Sequence, residues 1–143
     1  MEIKFRNMEK IHVKIGWSGD NYSCITDDKA LNGVILVTGK TPEEIKKKFQ
    51  ESLQFHIDGC MKDGDELPEW LMSGQYEICY TFEVPALMHS LDGILTHSAI
   101  ARVSGINKKK IELYASGYSV PRKQQKEKII NAIHSIGREL VEY

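Results

Sequence analysis

Three lysines in a row, Lys108, Lys109 and Lys110, directly follow Asn107. Asparagine is a preferred helix cap, because its side chain accepts a hydrogen bond from the free backbone amides of the first turn. Lysines at such a helix tip are placed to meet anions. An ammonium donates to guanine O6 and N7 in the major groove of DNA, and equally to a phosphate oxygen. Lys108 and Lys109 are assigned to base edges and Lys110 to the DNA backbone. Thr96, His97 and Ser98 open the preceding helical stretch, and Arg122 lies just beyond the next glycine, Gly117. These four are phosphate candidates, although His97 and Ser98 serve equally well as ordinary surface residues at a helix start. With Asn107 and the lysines they form the candidate DNA-binding set.

Other chemistries lack their parts. There is no Ser or Cys nucleophile motif, and Gly16 to Gly19 is too short for a phosphate loop and has no helix behind it. A magnesium-dependent nuclease needs several carboxylates around the metal. Asp20, Asp27, Asp28, Glu43 and Glu44 fall in turns or at a helix start, where capping explains them. No acid is expected in the first or third strand, and Glu77 and Glu83 are expected on the solvent face of the last. No catalytic residue is assigned, and the chain is expected not to be an enzyme. Cys24, Cys60 and Cys79 are widely spaced and form no Cys-x-x-Cys pair, and the five histidines do not cluster with them. No metal or other cofactor is expected, and the cysteines read as reduced thiols of a cytoplasmic protein. Met1 to Met8 lacks a signal-like apolar run, and no stretch reaches the roughly 20 apolar residues of a membrane span.

The lysines need elements to hold them. Thr96 is an N-cap for a helix running through Ser98, Ile100 and Val103. Ser104-Gly105-Ile106-Asn107 is a turn in which Gly105 supplies positive φ. Ala101, four residues before that glycine, leaves room for a second helix to cross closely, and Ile106 anchors the turn in the core. Ile111 and Tyr114 form the buried face of the second helix, Lys108 to Lys110 and Glu112 face out, and Gly117 ends it. Together these positions describe a helix-turn-helix, with the lysine tip where that motif enters the major groove. The rival is a small helical bundle without a DNA role, which has no need of three lysines at that tip.

Ahead of Pro85 the periodicity is different. Ile11, Val13 and Ile15 alternate as a half-buried strand, Ser18 to Asn21 is a turn, and Tyr22 to Thr26 closes a hairpin. Asp27 to Asn32 reads as polar loop and Val34 to Val37 as a central strand. Thr41-Pro42-Glu43-Glu44 opens a helix with a cap, a first-turn proline and a capping-box glutamate. Its apolar stripe is Ile45, Phe49, Leu53 and Ile57. Lys46 to Lys48 are expected on its open side, and Gly59 to Gly64 ends or frays it. Leu67 to Trp70 reads as a loop with an apolar plug. Tyr76, Ile78, Tyr80, Phe82 and Val84 share one face of a last strand. Beyond Pro85 only helical spacing remains: Leu87 and Leu91, Ile100 and Val103, then Ile129, Ile133, Ile136 and Leu140 on a final helix. That last stripe either packs on its own unit or supports a dimer.

The 143 residues suit one ordinary domain or two small ones, with 41% hydrophobic and 27% charged residues. The expected division is residues 1–84 and 85–143. The net charge of −1 conceals an asymmetry. From Pro85 onward nine Lys and Arg face five acids, a net of +4, so the preceding residues carry −5. A basic tail behind an acidic front is the charge pattern of a chain whose tail meets phosphates.

Thr96 to Arg122, with the trailing Gly117-x-x-x-Pro121-Arg122, resembles the phage-repressor-type helix-turn-helix family. The chain from about Ile11 to Leu140 is similar to HicB-type antitoxins. The residues that carry this are Asp20-Asn21-Tyr22-Ser23, Leu31-Asn32-Gly33-Val34, Gly39 to Ile45, Leu87-Met88-His89, Ala101-x-x-x-Gly105-Ile106-Asn107, Tyr114 to Gly117 and Pro121-Arg122. Asn32 stands where the family usually has proline, and Leu113 and Tyr114 offer little polar reading late in the second helix.

The resemblance implies an α+β fold, with a partial RNase H-like front domain in βββαβ order and an all-α helix-turn-helix domain of lambda-repressor type. It implies an antitoxin that blocks a small mRNA-cleaving HicA-type toxin. It also implies that the chain represses its own operon by binding operator DNA as a homodimer or higher oligomer; no membrane partner is expected, since no apolar run is long enough to span one. It names no toxin-contacting residue. Two other readings stay open. One is a free-standing transcription regulator whose front domain senses a small molecule near Trp17, Tyr22 or Trp70. The other is a weak magnesium-dependent RNA-processing enzyme using Asp20.

Overall fold

The computed structural model describes residues 8–143; Met1 to Asn7, most of the stretch read above for a signal sequence, lie outside the described residues. The chain is α+β, with a four-stranded mixed sheet and six α-helices among the described residues. It divides into two compact units between Glu83 and Val84.

The front unit is built on strands β1 (Glu9–Trp17), β2 (Tyr22–Thr26), β3 (Ile35–Gly39) and β4 (Tyr76–Phe82), in the order β3-β2-β1-β4. β1 pairs antiparallel with β2, setting Ile15 against Cys24, and parallel with β4, setting Val13 against Tyr80. Alternation in β1 buries Ile11, Val13 and Ile15 completely, as a strand with one covered face requires. The cover is α1 (Pro42–Lys62), which lays Ile45, Phe49, Leu53 and Ile57 into the core. Its start is fixed as the residues predict: Thr41 Oγ1 accepts from the Glu44 amide at 3.1 Å. The reciprocal bond lands one residue early, because Glu44 Oε1 accepts from the Lys40 amide at 2.8 Å. That bond is the first cause of the lowered pKa of the Glu44 carboxyl, followed by the contact with Lys48.

Several expectations need correction here. The run Val34 to Val37 is not a central strand: β3 is an edge, and Val34 and Leu36 are 64% and 59% exposed. A continuous apolar run cannot by itself distinguish a doubly covered strand from a singly covered one. β1 begins at Glu9, so an acid does stand in the first strand, at its exposed outer end. Lys46 is not on the open side of α1; its Nζ lies 5.0 Å from the Tyr80 ring and 5.8 Å from the Phe82 ring. The end of α1 does fall inside the expected stretch between Gly59 and Gly64, at Lys62. The plug of the following segment is Leu71, carried on the short α2 (Glu69–Met72), together with Leu67. The polar loop before β3 contains a 3-10 turn, Lys29–Leu31, that buries Leu31. Val84 leaves the sheet and opens a helix, since the ladder between β1 and β4 stops at Phe82.

The second unit is helical: α3 (Val84–Ser90), α4 (His97–Ser104), α5 (Lys108–Ser116) and α6 (Lys123–Val141). Val84, Met88, Ile100, Ile106, Ile111, Tyr114 and Ile129 form one buried cluster, with Leu87, Ala101 and Ile133 packed around it. Each fully buried isoleucine contributes roughly 1.5–3 kcal/mol. Val103, expected on this apolar face, is instead at the surface. The stripe on α6 is used unevenly: Ile129 is fully buried, whereas Leu140 is exposed. No helix among the described residues is long and apolar enough to cross a membrane.

Candidate nucleic-acid interface

α4 and α5 are joined by Gly105, Ile106 and Asn107, and each has a reason to be there. Gly105 sits at φ 77°, a left-handed conformation that costs a side-chain-bearing residue energy, and its amide donates to the Ala101 carbonyl at 2.9 Å. The Ser104 hydroxyl accepts from the Ile106 amide at 3.2 Å and sets the direction of the turn. Ile106 then drops into the core. Asn107 Oδ1 accepts from the Lys109 amide at 2.8 Å, so its carbonyl oxygen is committed to capping α5. Of the candidate DNA contacts, Asn107 thus keeps its side-chain NH2 clear of the cap. At the far end Gly117 takes φ 81° and stops the helix.

Lys108, Lys109 and Lys110 are all exposed on the first turn of α5. Thr96 caps α4, its Oγ1 accepting from the Ala99 amide at 3.0 Å, which leaves the hydroxyl proton for an outside acceptor. Thr96, His97, Ser98 and Lys108 are brought together around one surface depression of about 500 Å³. Lys109, Lys110 and Arg122 do not line it. Arg122 is exposed at the cap position of α6 and makes no side-chain capping bond.

Two acids share the depression and escaped the reading of site residues: Asp92 and Glu112. Glu112 stands one turn after Lys108 on α5, and the pair forms no salt bridge in the structure. Its spacing of four from Lys108 was visible in the sequence; Asp92 reaches the site only through the loop that precedes α4. Lys123 was likewise overlooked, although it opens α6 directly beside Arg122.

The charges at the helix starts are unusual. A helix N-terminus carries a partial positive charge and favours acids in its first turn. α1 obeys this with Glu43 and Glu44, and α2 with Glu69. None of the four helices of the second unit has an acid in its first turn. α5 and α6 instead open on Lys108, Lys109, Lys110 and Lys123. Cations stacked on a positive helix end repel it, at a cost of about 0.3–1 kcal/mol each, and an incoming anion reverses the sign.

No family model, curated protein or solved structure matches the chain. What the interface does therefore follows from its own side chains. Among the described residues no group of three or more His, Cys, Asp or Glu is arranged to hold a metal ion.

Proposed function

We propose that the second unit binds duplex DNA through a helix-turn-helix, α4 and α5, and that the chain is an antitoxin and autorepressor of the HicB type. The observation that carries the DNA reading is the cationic start of α5 and α6, with no acid in the first turn of either helix, and the tight glycine turn that sets α4 against α5. In this reading Lys108 and Lys109 meet base edges, Lys110 and Arg122 meet phosphates, and the Thr96 hydroxyl donates to a phosphate oxygen, with His97 and Ser98 beside it. Two copies related by a two-fold axis reach successive half-sites roughly 34 Å apart.

The front unit supports the antitoxin half of the proposal through its topology. Three antiparallel strands, a helix and a fourth strand parallel to β1 follow the order of a partial RNase H-like domain. Its acidic balance suits a basic RNA-binding toxin. The rival reading as a small-molecule sensor is disfavoured by where its aromatics go. Trp17 packs edge-on against Tyr22 at 4.9 Å between ring centroids, and Trp70 against Tyr76 at 6.3 Å.

Co-expression with the product of each adjacent gene tests the antitoxin half. A small basic protein that co-purifies, and that halts growth when expressed alone, is the expected result. If no neighbour binds and none is toxic, the antitoxin half is wrong and a DNA-binding regulator remains.

A further inference from the structure

Seven Lys and Arg and a single acid, Glu112, lie between Gly93 and Lys126. That acid stands in the middle of α5, exposed, and lines the surface depression together with Thr96, His97 and Lys108. A carboxylate on a surface that meets DNA is costly, because nearby phosphates repel it. Two ordinary explanations do not fit. As a partner for Lys108, Glu112 stands in the weaker order, since a glutamate supports a helix best when it precedes its lysine by four. Among the described residues it forms no ion pair, unlike Glu77 with Lys10 and Glu44 with Lys48. As an answer to the helix dipole it comes too late, at the fifth residue of α5.

Beyond Lys110 the helix has little else to present. Ile111 and Tyr114 are buried and Leu113 is apolar. The Ser116 hydroxyl is committed to the helix end, donating to the Leu113 carbonyl at 3.0 Å and accepting from the Tyr118 amide at 3.3 Å. The Glu112 carboxylate is the polar group of this stretch left open to a ligand.

An ionised carboxylate can only accept hydrogen bonds. In the major groove guanine presents two acceptors, thymine an acceptor and a methyl group, and adenine a donor beside an acceptor. Cytosine presents its N4 amino donor with no acceptor on its own edge. Glu112 lies about 6 Å further along the helix than Lys108, and base pairs stack about 3.4 Å apart. We propose that Glu112 is a specificity-determining residue whose carboxylate accepts from the N4 amino group of a cytosine, one or two base pairs from the base that Lys108 addresses. That role rests on the reading of α4 and α5 as a helix-turn-helix. The lone acid then acts in two ways. It bonds where the cytosine stands, and elsewhere it repels the DNA, so wrong sites are penalised as well as the right one favoured.

Selection by the full chain from a pool of random-sequence duplexes, followed by binding to single duplexes, tests this. The selected sites are expected to share a cytosine at one position of each half-site, and replacing its pair by T·A should weaken binding about tenfold. Glu112→Ala should bind those two duplexes alike and should hold random DNA several-fold more tightly than the unaltered chain does. Glu112→Gln should move the preference at that position to adenine, whose N6 and N7 suit an amide. Glu112 is exposed, and alanine and glutamine are good helix formers, so both variants keep the fold, which circular dichroism checks. A Glu112→Ala variant that discriminates at every position as before overturns the assignment and leaves DNA binding standing. So does one weakened equally on all duplexes, the mark of a structural role, and so does an unaltered chain that binds DNA without preference. A chain that binds no duplex overturns the assignment together with the helix-turn-helix reading.

Discussion

Lys108 and Glu112 face the same depression one turn apart, and their opposite charges make opposite demands on DNA. If Lys108 reads guanine, Lys108→Ala should cost about 1–3 kcal/mol on the preferred site and relax the preference at one base pair. Lys110→Ala, at a phosphate, should weaken specific and random DNA alike. Equal small losses on both DNAs for Lys108→Ala and Lys109→Ala would remove base reading from the account. At the core of the front unit, burial pushes the Cys24 thiol up to about 11, with Lys46 opposing part of the rise. The unfolded chain ionises this thiol near pH 9 while the folded chain still holds the proton, so stability falls as pH rises through that window. Cys24→Ala should flatten the decline in melting temperature between pH 9 and 11. An unchanged slope would show that Cys24 is not its source. Both tryptophans lie in the front unit, so their fluorescence reports this melt.

Helix caps and turns separate two kinds of glycine and two kinds of legibility. At Gly105 an added Cβ meets nothing within 4 Å, so Gly105→Ala should cost only the left-handed backbone strain, about 1–2 kcal/mol. At Gly39 the Cβ would lie 2.9 Å from Ile45 Cγ2, a fully buried side chain, so Gly39→Ala must shift that packing and should cost more. Urea midpoints read by helix circular dichroism for the first and tryptophan fluorescence for the second test this, and a neutral Gly39→Ala would contradict the packing. Thr41, Asn107, Gly105 and the stripe from Ile45 to Ile57 were legible because caps, turns and helical periodicity are local. The edge position of β3 was not, because it depends on which strand lies beside it. The stacking of Lys46 over Tyr80 and Phe82 was hidden for the same reason: it joins residues more than thirty positions apart. Val84 continued the alternation of β4 by type alone, and only the end of the ladder shows that it belongs to α3. In the candidate interface, Lys108 to Lys110 stood out as a run, whereas Asp92 is brought to the depression that Lys108 lines only by the folded loop.

The charge of the whole chain divides into −5 ahead of Pro85 and +4 from there on, so the proposed binding to DNA and the proposed binding to a basic protein can be tested separately. Substitutions at Lys108 to Lys110 should leave the front unit's tryptophan-detected melt unchanged. The most direct measurement is a salt titration of binding to a duplex from immediately upstream of the chain's own gene. It compares the unaltered chain with Lys108→Ala/Lys109→Ala/Lys110→Ala. Each phosphate contact contributes about 0.9 to the slope of log affinity against log salt. Tight, salt-sensitive binding by the unaltered chain is the expected result. The triple variant should lose tenfold or more, with a slope shallower by about 1–3. No binding at low salt, or the same affinity and slope in both proteins, would contradict it.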